Sequence, residues 1–316
     1  MQAKDARRSA WREGGARSPR TSFGGKPAFA RVNPSLLACT VRDCGLPLER
    51  SRRSYVCARG HSYDVARSGY VNLLQPQDRR SLSAGDSASA VEARARLVAS
   101  GVGRSIRDEF VRRAAALDLG GLPLVVDLGS GSGDVLAALT LARPTAGVGI
   151  DLSIDAIKHA ARRFPTVTWV VANADRRLPF RDRSVTLVLS LHGRRNAAEC
   201  ARVLAPNGFL LAAVPAADDL IELRTLVEGQ GIERGRADAL IAEHKALFTL
   251  IERVSTRERP TLDRASLVDL LRGTYRGVRM SAAGRVEGVE NLSLTLAADI
   301  LLFAPRPSLN PSLSPI

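Results

Sequence analysis

The chain has 316 residues, 45% of them hydrophobic and 25% charged, enough to bury a full core with a smaller module beside it. Its formal net charge is +14, with arginine dominating the excess, which favours a polyanionic partner such as RNA. No apolar run reaches the ~18 residues of a membrane span, and the cysteines cluster with a histidine instead of spreading as a disulfide framework. These features predict a reducing, cytoplasmic setting with no membrane partner.

Residues 1–35 carry eight Lys/Arg against two Asp/Glu and have no apolar h-region, so they read as a disordered basic arm and not as a secretory signal. The next segment, 36–81, holds Cys39-x4-Cys44-x12-Cys57-x3-His61. Three thiols and an imidazole at these spacings supply the four N/S ligands of a closed tetrahedral zinc site, so Cys39, Cys44, Cys57 and His61 are the metal candidates. Leu46 to Leu48 and Ser54 to Val56, separated by a basic turn, predict two short strands that a metal holds together in place of a core. Tyr63 and Tyr70 lie among Arg67, Arg79 and Arg80. They suit either stacking on nucleobases or packing against the rest of the protein. Cys200 sits in an amphipathic helical stretch over 197–204 and reads as plain core.

Residues 82–118 predict a helical connector, and 119–304 alternate apolar strands with helices. Strands are expected at 122–127, 147–151, 167–171, 185–189 and 209–214, with helices at 135–142 and 154–163. This alternation implies an α/β domain with a parallel sheet covered on both faces. The run 292–303 predicts a final hairpin or a long edge strand. The tail 305–316, rich in Pro and Ser, reads as disordered.

The loop Asp127-Leu-Gly-Ser-Gly-Ser-Gly133 follows the first of these strands, and its glycines allow a ligand to approach the backbone. Its Gly-x-Gly-x-Gly spacing differs from that of a dinucleotide fingerprint. Asp151 ends the second strand, where a carboxylate can accept both ribose hydroxyls. Asn173 and Asp175 follow the third, within reach of an adenine. The set Asp127, Gly129, Gly131, Ser132, Gly133, Asp151, Asn173 and Asp175 therefore predicts S-adenosylmethionine as cofactor in a Rossmann-like class I methyltransferase fold, with an N-terminal zinc-ribbon-like module.

Read together, the run Gly60-His-Ser-Tyr-Asp-Val-Ala-Arg-Ser-Gly-Tyr-Val-Asn-Leu-Leu74, Arg80-Ser81, Gly85-Asp-Ser87, Glu92-Ala-Arg94, the glycine loop, Leu178-Pro-Phe180, Ala201-Arg-Val-Leu-Ala-Pro-Asn-Gly208 and Leu220-Ile-Glu-Leu223 resemble the zinc-containing 23S ribosomal RNA guanine-N1 methyltransferases. The resemblance covers about residues 36 to 305. It implies zinc on the Cys39–His61 set, the methyl donor against Gly131 and Ser132, and 23S ribosomal RNA as partner, with a homodimer left open. The chain departs from that family in its Cys-x4-Cys opening, in Ser190-Leu-His-Gly-Arg-Arg195, in Arg272-Gly-Thr-Tyr-Arg-Gly277 and in Asp218-Asp219.

Methylating guanine N1 requires removal of a proton, and Asp86 and His192 are the sequence candidates for that catalytic step. As a bland alternative, Asp86 serves as a cap on the helix beginning at Ser87, and His192 as a loop residue. Two other functions stay open on sequence alone: a small-molecule methyltransferase retaining the zinc module, and a non-catalytic RNA-binding protein.

Overall fold

The computed structural model describes residues 34–78, 85–229, 235–274, 286 and 288–306. The basic arm up to residue 33, Arg79, Arg80, Ser81, the segment 275–277 and the tail from residue 307 lie outside the described residues. Among the described residues no helix is long and apolar enough to cross a membrane.

The N-terminal module is a three-stranded antiparallel sheet of β1 (Leu48–Ser51), β2 (Ser54–Cys57) and β3 (Ser62–Asp64), one strand more than the sequence pattern predicts. Its turn takes Arg52 through φ +48. The chain then enters β4 (Tyr70–Asn72), which pairs in parallel with β7 (Thr168–Val171) of the main sheet, Val71 opposite Val170. Leu73 N donates to Val171 O at 3.0 Å and Ala38 N to Pro179 O at 2.9 Å, so main-chain hydrogen bonds join the module to the large sheet at two places. Leu37, Leu48, Tyr63, Val71 and Leu73 share one apolar cluster with Val170, Leu178 and Phe180. The Leu178-Pro-Phe180 string is thus the seat on which the module rests.

Two helices follow, α1 (Ala88–Ala99) and α2 (Arg104–Ala116). Ser87, not Asp86, caps α1: its side chain accepts from Ala90 N at 3.4 Å.

The described residues then build an eight-stranded sheet in the order β10-β13-β9-β8-β5-β6-β7-β4, with β5 at Leu124–Leu128, β6 at Ala146–Asp151, β8 at Val185–Leu191, β9 at Leu204–Pro215, β10 at Phe248–Glu258 and β13 at Leu296–Pro305. β5 is buried at every position, which is why it reads as an unbroken apolar run. The helices α3 (Asp134–Ala142), α4 (Ile154–Arg163) and α5 (Ala197–Val203) connect its parallel strands. Helix α4 is built by its ends: Ser153 caps Ala156 N at 3.2 Å, and Arg162 and Arg163 complement the dipole at the last turn. Cys200 on α5 is fully buried, as its pattern predicts.

The sheet differs from the expected all-parallel layer at its far side. β13 runs antiparallel to both β9 and β10, and eight of its ten residues are buried. The predicted final hairpin or edge strand is therefore corrected: this segment is interior, and β10 forms the edge. The period-2 pattern of β13 is lost because both of its faces are covered. Asn291–Ser293, the β12 strand, pairs separately with β11 (Thr261–Asp263). Helices α6 (Ile221–Glu228), α7 (Ala237–His244) and α8 (Arg264–Thr274) complete the described elements.

Candidate functional site

Cys39, Cys44, Cys57 and His61 bring three Sγ atoms and a ring nitrogen within 4.8 Å of one another. Cys44 Sγ and Cys57 Sγ are 3.8 Å apart, and His61 Nδ1 is 3.4 Å from both Cys39 Sγ and Cys57 Sγ. Bond lengths of about 2.3 Å for Zn–S and 2.0–2.1 Å for Zn–N give tetrahedral edges of about 3.8 Å between sulfurs and about 3.6 Å from sulfur to nitrogen. These three separations match such edges to within a few tenths of an ångström, and all four cysteines are free thiols. The two extra residues of the Cys-x4-Cys knuckle are absorbed by a turn in which Asp43 and Gly45 take positive φ. Tyr63 lies behind the ligands: its hydroxyl is hydrogen-bonded to Cys39 Sγ at 3.1 Å and accepts from Thr40 N at 3.2 Å. Tyr63 is buried and Tyr70 half-buried on β4, so both tyrosines serve packing, while Arg67 is exposed.

At the carboxyl ends of the parallel strands opens a cavity of about 720 Å³. Asp127, Gly129, Gly131, Ser132, Asp151, Asn173 and Asp175 all line it, together with Asp86 and His192. Gly133 does not. A Cβ there would run into the Trp169 ring, so this glycine, at φ +84, serves the packing of the loop on β7.

Gly131 takes φ +53, and a Cβ on it would meet only Arg94 Nη1, at 3.8 Å, which leaves a cradle open to a ligand. Its N–H donates to Asp151 Oδ2 at 2.9 Å, while Ser153 N donates to Asp151 Oδ1 at 2.8 Å. Asn173 Oδ1 accepts from Asp175 N at 2.9 Å. Asp175 pairs with Arg194 at 2.6 Å. Ser132 Oγ donates to Asp134. Asp127 is buried, and its carboxyl is pushed up to about 7, first by burial and then by the charge of Asp151. A wall of carboxylates around a glycine cradle suits a ligand with a ribose diol and positive charge, which S-adenosylmethionine has.

The other end of the cavity is set by the loops after β8 and β9. His192 leaves β8 at φ +57 and lines the cavity. Its side chain is exposed at the cavity mouth; desolvation among its neighbours, then the charges of Arg236 and Arg195, lower its imidazole, so the ring is neutral at neutral pH. Asp219 follows β9; burial pushes its carboxyl up to about 6, against the Ala297 N–H that donates to it at 2.9 Å. Leu220, next in the chain, takes φ +57, and backbone strain of this kind gathers at functional sites. Asp86, by contrast, is ion-paired with Arg94, and its carbonyl accepts from Ser153 Oγ at 2.6 Å.

Sequence reasoning did not single out Arg224, a buried arginine lining the cavity, or Asp219 as a site residue. In a chain carrying 46 Lys and Arg, one more arginine gives no local signal. Asp219 is visible only as an acid directly after a strand.

The chain matches two protein families, one described as "RlmA, N-terminal" over residues 38–82 and one as "Methyltransferase domain" over residues 125–208. A Streptomyces fradiae protein, 23S rRNA (guanine(748)-N(1))-methyltransferase, is 37% identical over 195 residues, covering 61% of this chain and 68% of that one. A Micromonospora griseorubida protein is 38% identical over 213 residues, covering 61% and 70%. A Bacillus subtilis protein is 32% identical over 281 residues, covering 86% of this chain and 98% of its own. The given names of the latter two are those of 23S rRNA (guanine-N(1)-)-methyltransferases.

Proposed function

The chain belongs to the family of zinc-ribbon 23S rRNA (guanine-N1)-methyltransferases, and from that premise we propose that it methylates N1 of a guanine in 23S ribosomal RNA in the cytoplasm. It is an S-adenosylmethionine-dependent methyltransferase with a structural zinc site. The observation that carries the RNA reading is the pairing of β4 with β7, which fastens a basic metal module to the edge of the sheet whose strand ends form the cavity.

When bound, S-adenosylmethionine supplies a methyl group already activated on a sulfonium sulfur. The protein's own residues orient and enclose. Gly131 admits the ligand against the backbone. Asp151, fixed by two backbone N–H groups, would hold the ribose hydroxyls. Asp127, a buried carboxyl in a low-dielectric wall, would attract the positive charge of the donor when ionised. Asn173, held by the Asp175 N–H, and Asp175 would hold the adenine. His192, neutral and opposite the donor groups, offers a hydrogen-bond acceptor to the incoming base. Zinc, where Cys39, Cys44, Cys57 and His61 hold it, would fix a module that carries the exposed Arg42, Arg50, Arg52, Arg53, Arg59 and Arg67, groups suited to phosphate contacts.

The test is the map of modified bases in 23S RNA from cells with and without the gene, by primer extension and mass spectrometry. N1 methylation removes the Watson–Crick donor, so it arrests reverse transcription at one guanine that is read through in the deletion strain. Loss of no ribosomal RNA modification overturns the reading; turnover of a metabolite with no salt dependence would favour the small-molecule alternative. RNA affinity is expected to fall steeply with salt, the signature of phosphate neutralisation. Sedimentation of the free protein tells whether one copy or a homodimer engages the RNA.

A further inference from the structure

Three neighbouring parallel strands, β5, β8 and β9, deliver their carboxyl ends to one cavity. The donor groups stand on the β5, β6 and β7 side, and the loop after β9 stands on the other. In that loop Asp219 N donates to Ala216 O at 3.2 Å, and Leu220 N to Thr295 O at 2.7 Å. The Ala297 N–H holds Asp219 Oδ1 at 2.9 Å, which fixes the carboxyl in the cavity wall. We propose that Asp219 is the catalytic residue that takes the N1 proton of the target guanine, an inference that rests on the guanine-N1 reading above.

The other acids of the cavity have different work. Asp127, Asp151 and Asp175 belong to the donor end, Asp134 is paired with Arg163 at 2.9 Å, and Asp86 is tied to Arg94. His192 is an exposed ring just after β8 whose imidazole is held below its ordinary range, whereas Asp219 is fixed in the wall by the Ala297 amide at 2.9 Å with its carboxyl raised, which makes it the better proton acceptor. The groups facing Asp219 are Arg224 from α6, Arg236 before α7, Asp218 beside it (itself paired with Arg257 of β10 at 2.9 Å) and the Ala297 amide of β13. Arg224 is buried, donates through Nη2 to Ala217 O, and its Nε has no hydrogen-bond partner among the described residues. A guanine losing its N1 proton gathers negative charge on O6, and Arg224 and Arg236 are the cations at this end of the cavity to meet it.

In the step, the N1–H bond breaks and its proton passes to the Asp219 carboxylate, leaving the electron pair on N1. That pair forms the N1–methyl bond. The methyl–sulfur bond breaks with its electrons left on sulfur, which becomes a neutral thioether, and Asp219 then gives its proton to water.

The experiment is single-turnover methyl transfer to 23S RNA by the zinc-loaded full chain, wild type against Asp219→Asn, from pH 5.5 to 8, with S-adenosylmethionine saturating at every pH so that donor binding does not enter the profile. Asparagine keeps the acceptor for the Ala297 N–H, so melting temperature and S-adenosylmethionine affinity are expected to stay as in wild type. Methyl transfer is expected to fall about 100-fold or more. The wild-type rate is expected to rise with pH through about 6 and the variant's to lose that rise. A variant within about threefold of wild type, with the same pH profile, overturns the inference while leaving the guanine-N1 reading intact. Should Asp219→Asn fail to fold, a wild-type rate that does not change from pH 5.5 to 8 overturns it. A wild type that methylates no guanine N1 overturns the functional reading and, with it, this inference.

Discussion

Trp169 occupies the space that a side chain on Gly133 would need, and the same ring lies against Gly149 of β6. One indole, buried with its Nε1 donating to Phe164 O at 2.9 Å, thus shapes both the glycine loop and the strand beneath it. Gly133→Ala adds a methyl into that ring at φ +84 and is expected to cost about 2–4 kcal/mol, from overpacking and left-handed strain together. Trp169→Phe in the same chain should return part of that loss, a coupling of about 0.5 kcal/mol or more in a double-mutant cycle of thermal melts. Gly131→Ala meets open space. It should cost about 1 kcal/mol in stability yet weaken S-adenosylmethionine binding at least tenfold by calorimetry. Equal stability losses in both alanine variants, with donor binding untouched in Gly131→Ala, would contradict this division of labour.

Tyr63 supports the metal through Cys39. Its hydroxyl lies 3.1 Å from Sγ, and a thiolate ligand can only accept there, so in the metal-bound form the hydroxyl would donate, stabilising the thiolate and fixing its direction. Tyr63→Phe keeps the ring and removes only the donor. Zinc affinity, read by competition with a chromophoric chelator, is expected to fall about 10- to 100-fold. Unchanged affinity would make the tyrosine a packing residue alone.

Removing zinc should be felt beyond the module. Leu37, Leu48, Cys57, Tyr63 and Val71 lie in the same apolar cluster as Val170, Leu178 and Phe180, and β4 is hydrogen-bonded to β7. Chelation, or Cys57→Ser, is therefore expected to lower the melting temperature of the whole chain in one transition, and to lower donor affinity with it. Two separated transitions, the later one at the holoprotein temperature, would show that the sheet does not depend on its metal-bound edge.

The parts of this fold legible in the sequence are those written locally. Cys39 to His61 carry ligand spacing, and β5, β6 and β8 are short apolar runs bounded by turns. The glycine loop announces itself by composition. What was not legible depends on partners distant in the chain. Tyr70–Asn72 is too short to read as a strand, and only its seat on β7 makes it one. β10 alternates mostly exposed polar residues with a few apolar ones and is defined by pairing with β13 some 50 residues later. β13 resembles an edge or hairpin strand in isolation because nothing in its own residues says that β9 and β10 will cover it. Within the site, Gly133 and Gly131 look equivalent in sequence; the difference between them is the Trp169 ring, 36 residues downstream of Gly133. Asp219 is one acid among 32 Asp and Glu until the cavity singles it out.

Donor binding should depend on pH through Asp127. Its carboxyl sits at about 7 because burial and the Asp151 charge both disfavour ionisation. A ligand bringing positive charge to that wall prefers the ionised form, so the competent fraction is about 0.9 at pH 8 and about 0.1 at pH 6. The sign follows: affinity is lost as pH falls through 7 and recovered as it rises. The dissociation constant of S-adenosylmethionine is expected to increase about tenfold from pH 8 to pH 6, with proton release on binding visible as a buffer-dependent heat. Asp127→Asn should bind more weakly at pH 8 and show no such dependence. Asp219 also titrates in this range but stands at the acceptor end, so Asp219→Asn should keep the full pH dependence of donor affinity. The reverse pattern, with the dependence lost in Asp219→Asn and kept in Asp127→Asn, would exchange the roles assigned to the two carboxylates.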